Sequence, residues 1–164
     1  MATSRGLNRF SKRMDELSGR VEGMADQALR KAALVADQVA VTMTPVKTGR
    51  ARANWIVSIN SLQPADNDPK LSGSEGSASR GAANAQTAID QAQNVLGVSL
   101  QFGGGGGRNK AGRFVSNAPV IFLSNTLPYI EKLDNGSSAQ ATNGMTRAAI
   151  DAAIAQIKRE RFLD

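Results

Sequence analysis

The stretch that decides the fold is Pro119-Val-Ile-Phe-Leu-Ser-Asn-Thr-Leu-Pro-Tyr-Ile-Glu-Lys-Leu-Asp-Asn-Gly136. It opens with a run of apolar residues, Val120 to Leu123, of types that favour β-strands. Turn-forming residues bound this run, so it predicts a short strand that is buried on both faces or packed against a helix. The stretch closes on Asp134-Asn135-Gly136, which is a strong turn signal. One segment therefore supplies part of the core, a corner and a surface turn.

The N-terminal quarter of the chain carries the longest periodic pattern. Apolar residues recur every three or four positions from about Ser4 to Met43, which predicts one amphipathic helix. The stripe consists of Phe10, Met14, Leu17, Val21, Met24, Ala28, Ala32, Val35 and Val39. Such a helix extends roughly 50 Å, so we expect a partner subunit to cover part of it. A coiled coil is the alternative, and Gly19 and Gly23 mark a bend, a break or a close approach of another backbone.

The helix is expected to end at Thr44-Pro45, because proline excludes helical geometry from the residue before it and blocks continuation. A tight connection over residues 46–52 follows, with a glycine available for positive φ. Asn54 to Asn60 then alternates, with Trp55, Val57 and Ile59 on one face, which predicts a half-buried strand.

The rest of the chain alternates between loops and short elements. A polar segment over 61–81 reads as a mobile loop. Helical spacing returns over 82–96 with Gly97 as a stop signal, and 98–102 predicts a short strand. The glycine-rich, basic segment 103–118 predicts a flexible hairpin or loop. A last helix, capped by Thr142 or Asn143, is expected to reach Arg161.

Together these patterns predict an α+β fold. One domain spans 1–164, with flexible insertions at 61–81 and 103–118. A long N-terminal helix, a small antiparallel or mixed sheet, a second helix and a C-terminal helix packed on the sheet make up its architecture.

Composition narrows the function classes. The chain has 164 residues and a net charge of +6, with 20 basic and 14 acidic residues, which suits an acidic partner such as nucleic acid. It contains no cysteine and no histidine, so the commonest transition-metal ligands and the commonest neutral-pH general base are absent. The sequence shows no membrane-spanning stretch and no signal peptide, so we expect a soluble protein without a membrane partner.

No pattern in the sequence predicts catalysis, a cofactor or a metal site. Gly103 to Gly107 lacks the lysine and hydroxyl residue that a phosphate loop needs. Glu131 and Asp134 are close in sequence, but their polar surroundings indicate a solvated surface. Asp66 and Asp68 lack the remaining ligands of a calcium loop.

Five basic residues are candidates for contact with a phosphate backbone, which requires charge and not base reading. They are Arg50, Arg52, Arg108, Lys110 and Arg113. A solubilising surface is the alternative for each of them. No aromatic residues are interleaved with them, which disfavours a dedicated single-strand binder.

Two segments resemble a known family, the tail-component and tail-completion proteins of tailed phages, similar to lambda's minor tail protein Z. The first is Thr44-Pro-Val-Lys-Thr-Gly-Arg-Ala-Arg-Ala-Asn-Trp55, and the second runs from Ile121 to Met145. The matching residues are Thr44, Pro45, Thr48, Gly49, Trp55, Pro128, Tyr129 and Gly136. Lys47, Asp134-Asn135 and Thr142 depart from the family pattern.

The resemblance implies a non-enzymatic subunit of a homo-oligomeric ring in the neck of the virion, at the head–tail joint. The ring, sixfold or else twelvefold, would join a head-completion or connector protein to a tail terminator or tail tube protein. Genomic DNA would pass through its lumen, and assembly would take place in the host cytoplasm. We expect the free protein to be monomeric or weakly associated, with both insertions ordering on assembly. Alternatives are a tail terminator, a basic nucleic-acid-binding module and, weakest, a hydrolase.

Overall fold

The computed structural model describes residues 4–46, 49–63, 78–97, 107–108, 114–115, 119–138 and 144–160. The helices in these ranges are α1 (Ser4–Met43), α2 (Arg50–Ala53), α3 (Ala78–Leu96), α4 (Ile130–Asp134) and α5 (Met145–Arg159). The strands are β1 (Ile56–Ile59), β2 (Gly107–Arg108), β3 (Phe114–Val115) and β4 (Ile121–Ser124). The predicted α+β class, with its long first helix and its C-terminal helix, is confirmed.

The first helix is continuous over all 40 of its residues and ends at Met43, as the following Thr44-Pro45 predicts. Gly19 and Gly23 neither break nor end it. A Cβ atom added at either glycine would meet nothing within 4 Å. The interpretation of a break at these glycines is therefore wrong, and no other described segment of the chain approaches them closely.

The sheet is small and antiparallel. β1 pairs with β4 in a register that sets Ile56 opposite Ser124 and Ile59 opposite Ile121. β2 pairs with β3 as a separate short ribbon within the predicted basic hairpin. The strand predicted over 98–102 lies outside the described residues.

Burial differs from the prediction for β1, whereas β4 packs against α1, which is one of the two alternatives predicted for it. β1, expected to be half-buried, is buried at Ile56, Val57 and Ser58, whereas every residue of β4 is partly exposed. The reason is that α3 packs on β1, where Val57 clusters with Ala92 and Leu96. The alternation of polar and apolar residues in the sequence does not indicate that α3 covers β1.

The core lies where α1 passes between α3 and α5. One cluster joins Val41 of α1, Trp55, Ala88 of α3 and Met145 of α5, with Ala149 beside them. α5 runs antiparallel to α1, since Met145 lies at the end of α1 while Glu160 forms an ion pair with Lys31 at 3.1 Å. Alanines of all three helices contribute to this cluster beside the larger Trp55 and Met145.

The ends of two helices differ from the prediction. α3 begins at Ala78, four residues before the predicted start, while 64–77 lie outside the described residues. The N-cap of α5 is Gly144 at φ +65°, so the cap predicted at Thr142 or Asn143 is wrong. Asp134 Oδ1 accepts a hydrogen bond from the backbone N–H of Thr146 at 2.8 Å. The Asp134 carboxylate, at the end of α4, thus accepts from a backbone N–H group that has no partner within the first turn of α5. Residue 161 lies outside the described ranges.

One buried carboxyl group has an unusual environment. Asp37 of α1 is fully buried, and neither of its carboxylate oxygens has a hydrogen-bond partner among the described residues. Burial raises the pKa of Asp37 from 3.8 to about 7. The folded chain therefore holds this proton more tightly than the unfolded chain. Its contribution to stability is present below about pH 4 and is lost as the pH rises towards 7.

We expect Asp37→Asn to raise the free energy of unfolding at pH 8 and to change it little at pH 4. Each pKa unit corresponds to about 1.4 kcal/mol, so the gain at pH 8 is on the order of a few kcal/mol. Urea unfolding at both pH values measures it. Asp15→Asn, at an exposed position of the same helix, serves as the control. A pH-independent difference between Asp37→Asn and the wild type would contradict the assignment.

Candidate functional site

The two family-like segments meet in space around one buried hydroxyl group. Thr44 Oγ1 donates a hydrogen bond to the Ala40 carbonyl at 2.6 Å and accepts one from Trp55 Nε1 at 2.8 Å. The sulfur of Met145 lies 3.1 Å from the same oxygen. We call Thr44, Arg52, Trp55 and Met145 the Thr44 junction, because they connect the end of α1 with α2, β1 and the start of α5.

Arg52 completes this junction through the backbone. Its guanidinium group donates to the carbonyls of Thr44 at 2.8 Å, Thr42 at 3.0 Å and Gly81 at 3.4 Å. Two of these carbonyls belong to the end of α1, where the helix leaves acceptors without partners. Burial lowers the pKa of Arg52 from its usual value. The structure therefore gives this residue, predicted to face DNA, a structural role at the meeting point of α1 and α3.

A glycine permits the close approach of α3 to this point. A Cβ atom at Gly81 would lie 3.0 Å from a Val46 methyl group and 3.2 Å from an Arg52 nitrogen. These distances are shorter than ordinary van der Waals contacts, so a side chain at this position would require Val46 and Arg52 to shift by a few tenths of an ångström. No sequence pattern indicates this role, because Gly81 ends the polar segment 61–81.

The remaining motif residues shape the corners of the fold. Gly49 (φ +83°) and Gly136 (φ +80°) adopt the left-handed conformation that favours glycine. Gly49 is the N-cap of α2, and Tyr129 is the N-cap of α4. Pro45 is half-buried and Pro128 is exposed, while Thr48 lies outside the described residues.

A side-chain bond joins the two motifs a second time. Asn125 Nδ2 donates to the Ala51 carbonyl at 2.8 Å, which links the end of β4 to α2. Together with the pairing of β1 and β4, this contact holds the second motif against the first. The motif residues therefore build a corner of the fold.

The other predicted basic residues lie in separate segments, and only two of them fall within the described residues. Arg50 opens α2 and is half-buried. Arg108 lies in β2, opposite Phe114 of β3. Lys110 and Arg113 lie outside the described residues, so the structure does not test whether these side chains converge.

The two acidic residues that are close in sequence near the second turn, Glu131 and Asp134, have solvent contact or a structural role. Asp134 caps α5, and Glu131 is exposed. No group of three or more potential metal-binding side chains occurs within these ranges, and Asp66 and Asp68 fall outside them. Among the helices that the structure describes, none combines the length and the apolar character that crossing a bilayer requires.

The most unusual surface is on the N-terminal half of α1. Six large apolar side chains are between 36% and 64% exposed at alternating spacings of three and four residues. They are Leu7, Phe10, Met14, Leu17, Val21 and Met24, and we call them the rod stripe. α5 ends close to Lys31, so no described part of the chain covers this half of the helix. Isolated apolar residues are common on surfaces, but a continuous row of six marks an interaction site.

Two further surface features escaped the sequence analysis. An open cleft of about 280 Å³ lies between α1 and α3, where Arg30 donates to the Leu96 carbonyl at 3.2 Å. On α5, the isoleucines at 150, 154 and 157 are between 39% and 49% exposed. The cleft depends on how two distant segments pack. The isoleucines follow the helical pattern that the sequence shows, but the pattern does not indicate whether this apolar side of the helix is buried or exposed.

Comparison with known families agrees with this arrangement. Residues 8–91, just over half of the chain, match the family described as "Bacteriophage HK97-gp10, putative tail-component". The chain belongs to this phage tail-component family. No curated protein and no solved structure matches it.

The part of the chain that matches the phage tail-component family contains most of the features described above. It includes the rod stripe from Phe10 onward, three members of the Thr44 junction, β1 and most of α3. β4, Met145 and α5 lie beyond it. The first motif therefore falls inside the family match, while the second motif is supported by its contacts with the first.

We expect Thr44→Val to lower the free energy of unfolding by about 1–3 kcal/mol, because it leaves the buried Trp55 N–H without an acceptor. Denaturant unfolding followed by fluorescence of Trp55, the single tryptophan, measures the effect. Thr42→Val is the matched control. Its hydroxyl is exposed and donates only within its own helix, to the Gln38 carbonyl at 2.7 Å. Equal losses for the two variants would show that the junction adds nothing to stability.

Proposed function

We propose that this tail-component protein is a non-enzymatic structural subunit of a homo-oligomeric ring at the head–tail joint of a virion. The ring connects the head-completion or connector protein to the tail terminator or tail tube, and genomic DNA passes through its lumen. Membership of the phage tail-component family supports the structural role. Our proposal adds two features to that role, which are assembly into a ring and a position in the neck of the virion.

The rod stripe is the observation that carries this proposal. Fully burying one large apolar side chain contributes about 1.5–3 kcal/mol, and six of them remain largely exposed on one face of α1. A protein that works as a single chain gains nothing from a half-uncovered helix of this length. A subunit that completes its hydrophobic burial against neighbours requires such a surface.

Charge supports the passage of DNA through the ring. The chain carries a net charge of +6, and its glycine-rich hairpin contains Arg108, Lys110 and Arg113. We place these residues and Arg50 towards the lumen, where phosphate groups are contacted without reading the sequence. Arg52 is left out of this set, because its donors already bind backbone carbonyls.

We favour six copies, which would match a sixfold tail tube, over the twelve copies that would match the portal. If the protein were instead a tail terminator, it would occupy a neighbouring position, at the end of the tail tube. It would then cap the tail without joining it to the head. A nucleic-acid-binding module would bind DNA as the free protein, with affinity that falls steeply as salt increases.

Electron microscopy of particles that carry a labelled copy of the chain tests the proposal. We expect one ring of label between head and tail. We expect Leu17→Asp, which places a charge in the rod stripe, to give separate heads and tails. Glu16→Gln, at an exposed position on another side of α1, should give normal particles. Label along the tube, at the tail tip, or absent from complete particles would overturn the position in the neck.

A further inference from the structure

We infer that the rod stripe of one copy packs on the exposed isoleucines of α5 in the next copy. This inference rests on the proposed ring and names the two surfaces that form its subunit contact. Ile150, Ile154 and Ile157 constitute the receiving surface, which we call the α5 stripe.

The α5 stripe is a second apolar face on a helix that already has one. Spacings of four and three residues bring the three isoleucines together along one side of α5. Met145 and Ala149, on a different side, are buried in the core cluster. α5 therefore uses one apolar face inside its own chain and leaves another exposed, flanked by the exposed ion pair of Arg147 with Asp151.

The rod stripe has the shape of a surface that packs on a helix. Its six members alternate by three and four residues, as in the seam between two helices. From Leu7 to Met24 the seam is roughly 25 Å long. Further along the same face, Val39 and Met43 pack against the cluster that contains Met145 and Ala149 of α5. The rod stripe thus continues a face of α1 that packs against α5 within the same chain.

The receiving α5 must belong to another copy. Within one chain, α5 lies beside the C-terminal half of α1 and ends at the level of Lys31. Leu17 is fourteen residues earlier on the same continuous helix, roughly 21 Å away along its axis. The chain's own α5 cannot reach the rod stripe without unfolding.

Symmetry favours this pairing over contact between two rods. Two rods that pair through the same stripe form a closed dimer, in which the rod stripe is no longer available to a third copy and the α5 stripe stays uncovered. An antiparallel rod pair would also bring together Arg13 and Arg20 of both copies, since these residues flank the same side of the seam. A contact between two different surfaces, one on α1 and one on α5, lets each copy bind two neighbours and close a ring.

Disulfide trapping tests the contact directly, because the chain contains no cysteine of its own. Cysteine is introduced at Phe10, Leu17 or Met24 in one sample and at Ile154 in another. In the first setting, the samples are mixed at high protein concentration and oxidised with diamide. In the second setting, the same pairs of variants are incorporated into particles during assembly. A disulfide forms only where Cα atoms approach within about 7 Å.

We expect at least one mixed pair to cross-link at least tenfold faster than the control pair Glu16→Cys with Ala155→Cys. A single chain that carries both cysteines of the cross-linking mixed pair, one in the rod stripe and one in the α5 stripe, should form a ladder of oligomers. Faster cross-linking of a rod variant with itself, or no mixed cross-link in either setting, would overturn the inference. Particles with a labelled ring in the neck but no mixed cross-link would refute this contact alone. A mixed cross-link in a protein located elsewhere in the virion would refute only the position in the neck.

Discussion

The hydrogen bond between Trp55 Nε1 and the Thr44 hydroxyl is the contact on which the arrangement of elements depends. It forms where α1 stops, and it fixes β1 against the end of that helix. The same oxygen lies against Met145, so the start of α5 is positioned by it as well. Because Thr44 is fully buried, none of these groups can exchange its partner for water. The end of α1, the start of β1 and the start of α5 therefore meet at a single buried oxygen.

Much of this fold follows from the sequence, and the part that does not has a common cause. The bounds of α1, the stop at Gly97 and the strand at Ile121 depend on local periodicity and on proline or glycine, which the sequence shows directly. The burial of β1, the capping of α5 by Asp134 and the closeness of Gly81 to Val46 depend on segments far apart in the chain. Local patterns contain no information about such contacts.

The same distinction applies to the candidate functional residues. The charge of Arg52 predicts contact with a phosphate backbone, whereas its three carbonyl partners come from the end of α1 and from α3. Trp55 and Thr44 were singled out through resemblance, and the structure supplies the physical reason for that pattern. The uncovered half of α1 was expected from the length of the helix, since a small body cannot cover both ends of a long rod. The exposure of the isoleucines on α5 was not expected from the sequence.

The continuity of α1 through Gly19 and Gly23 has a mechanical consequence. A helix without a break transmits any rotation of the body to its far end, and the arm of α1 that α5 leaves uncovered begins near Lys31. From Lys31 to Ser4 this arm is roughly 40 Å long, so a rotation of about five degrees displaces its tip by about 3.5 Å. In the proposed ring, a neighbouring subunit bound to this arm would be displaced by small rotations of the body, so the diameter of the ring would change with them.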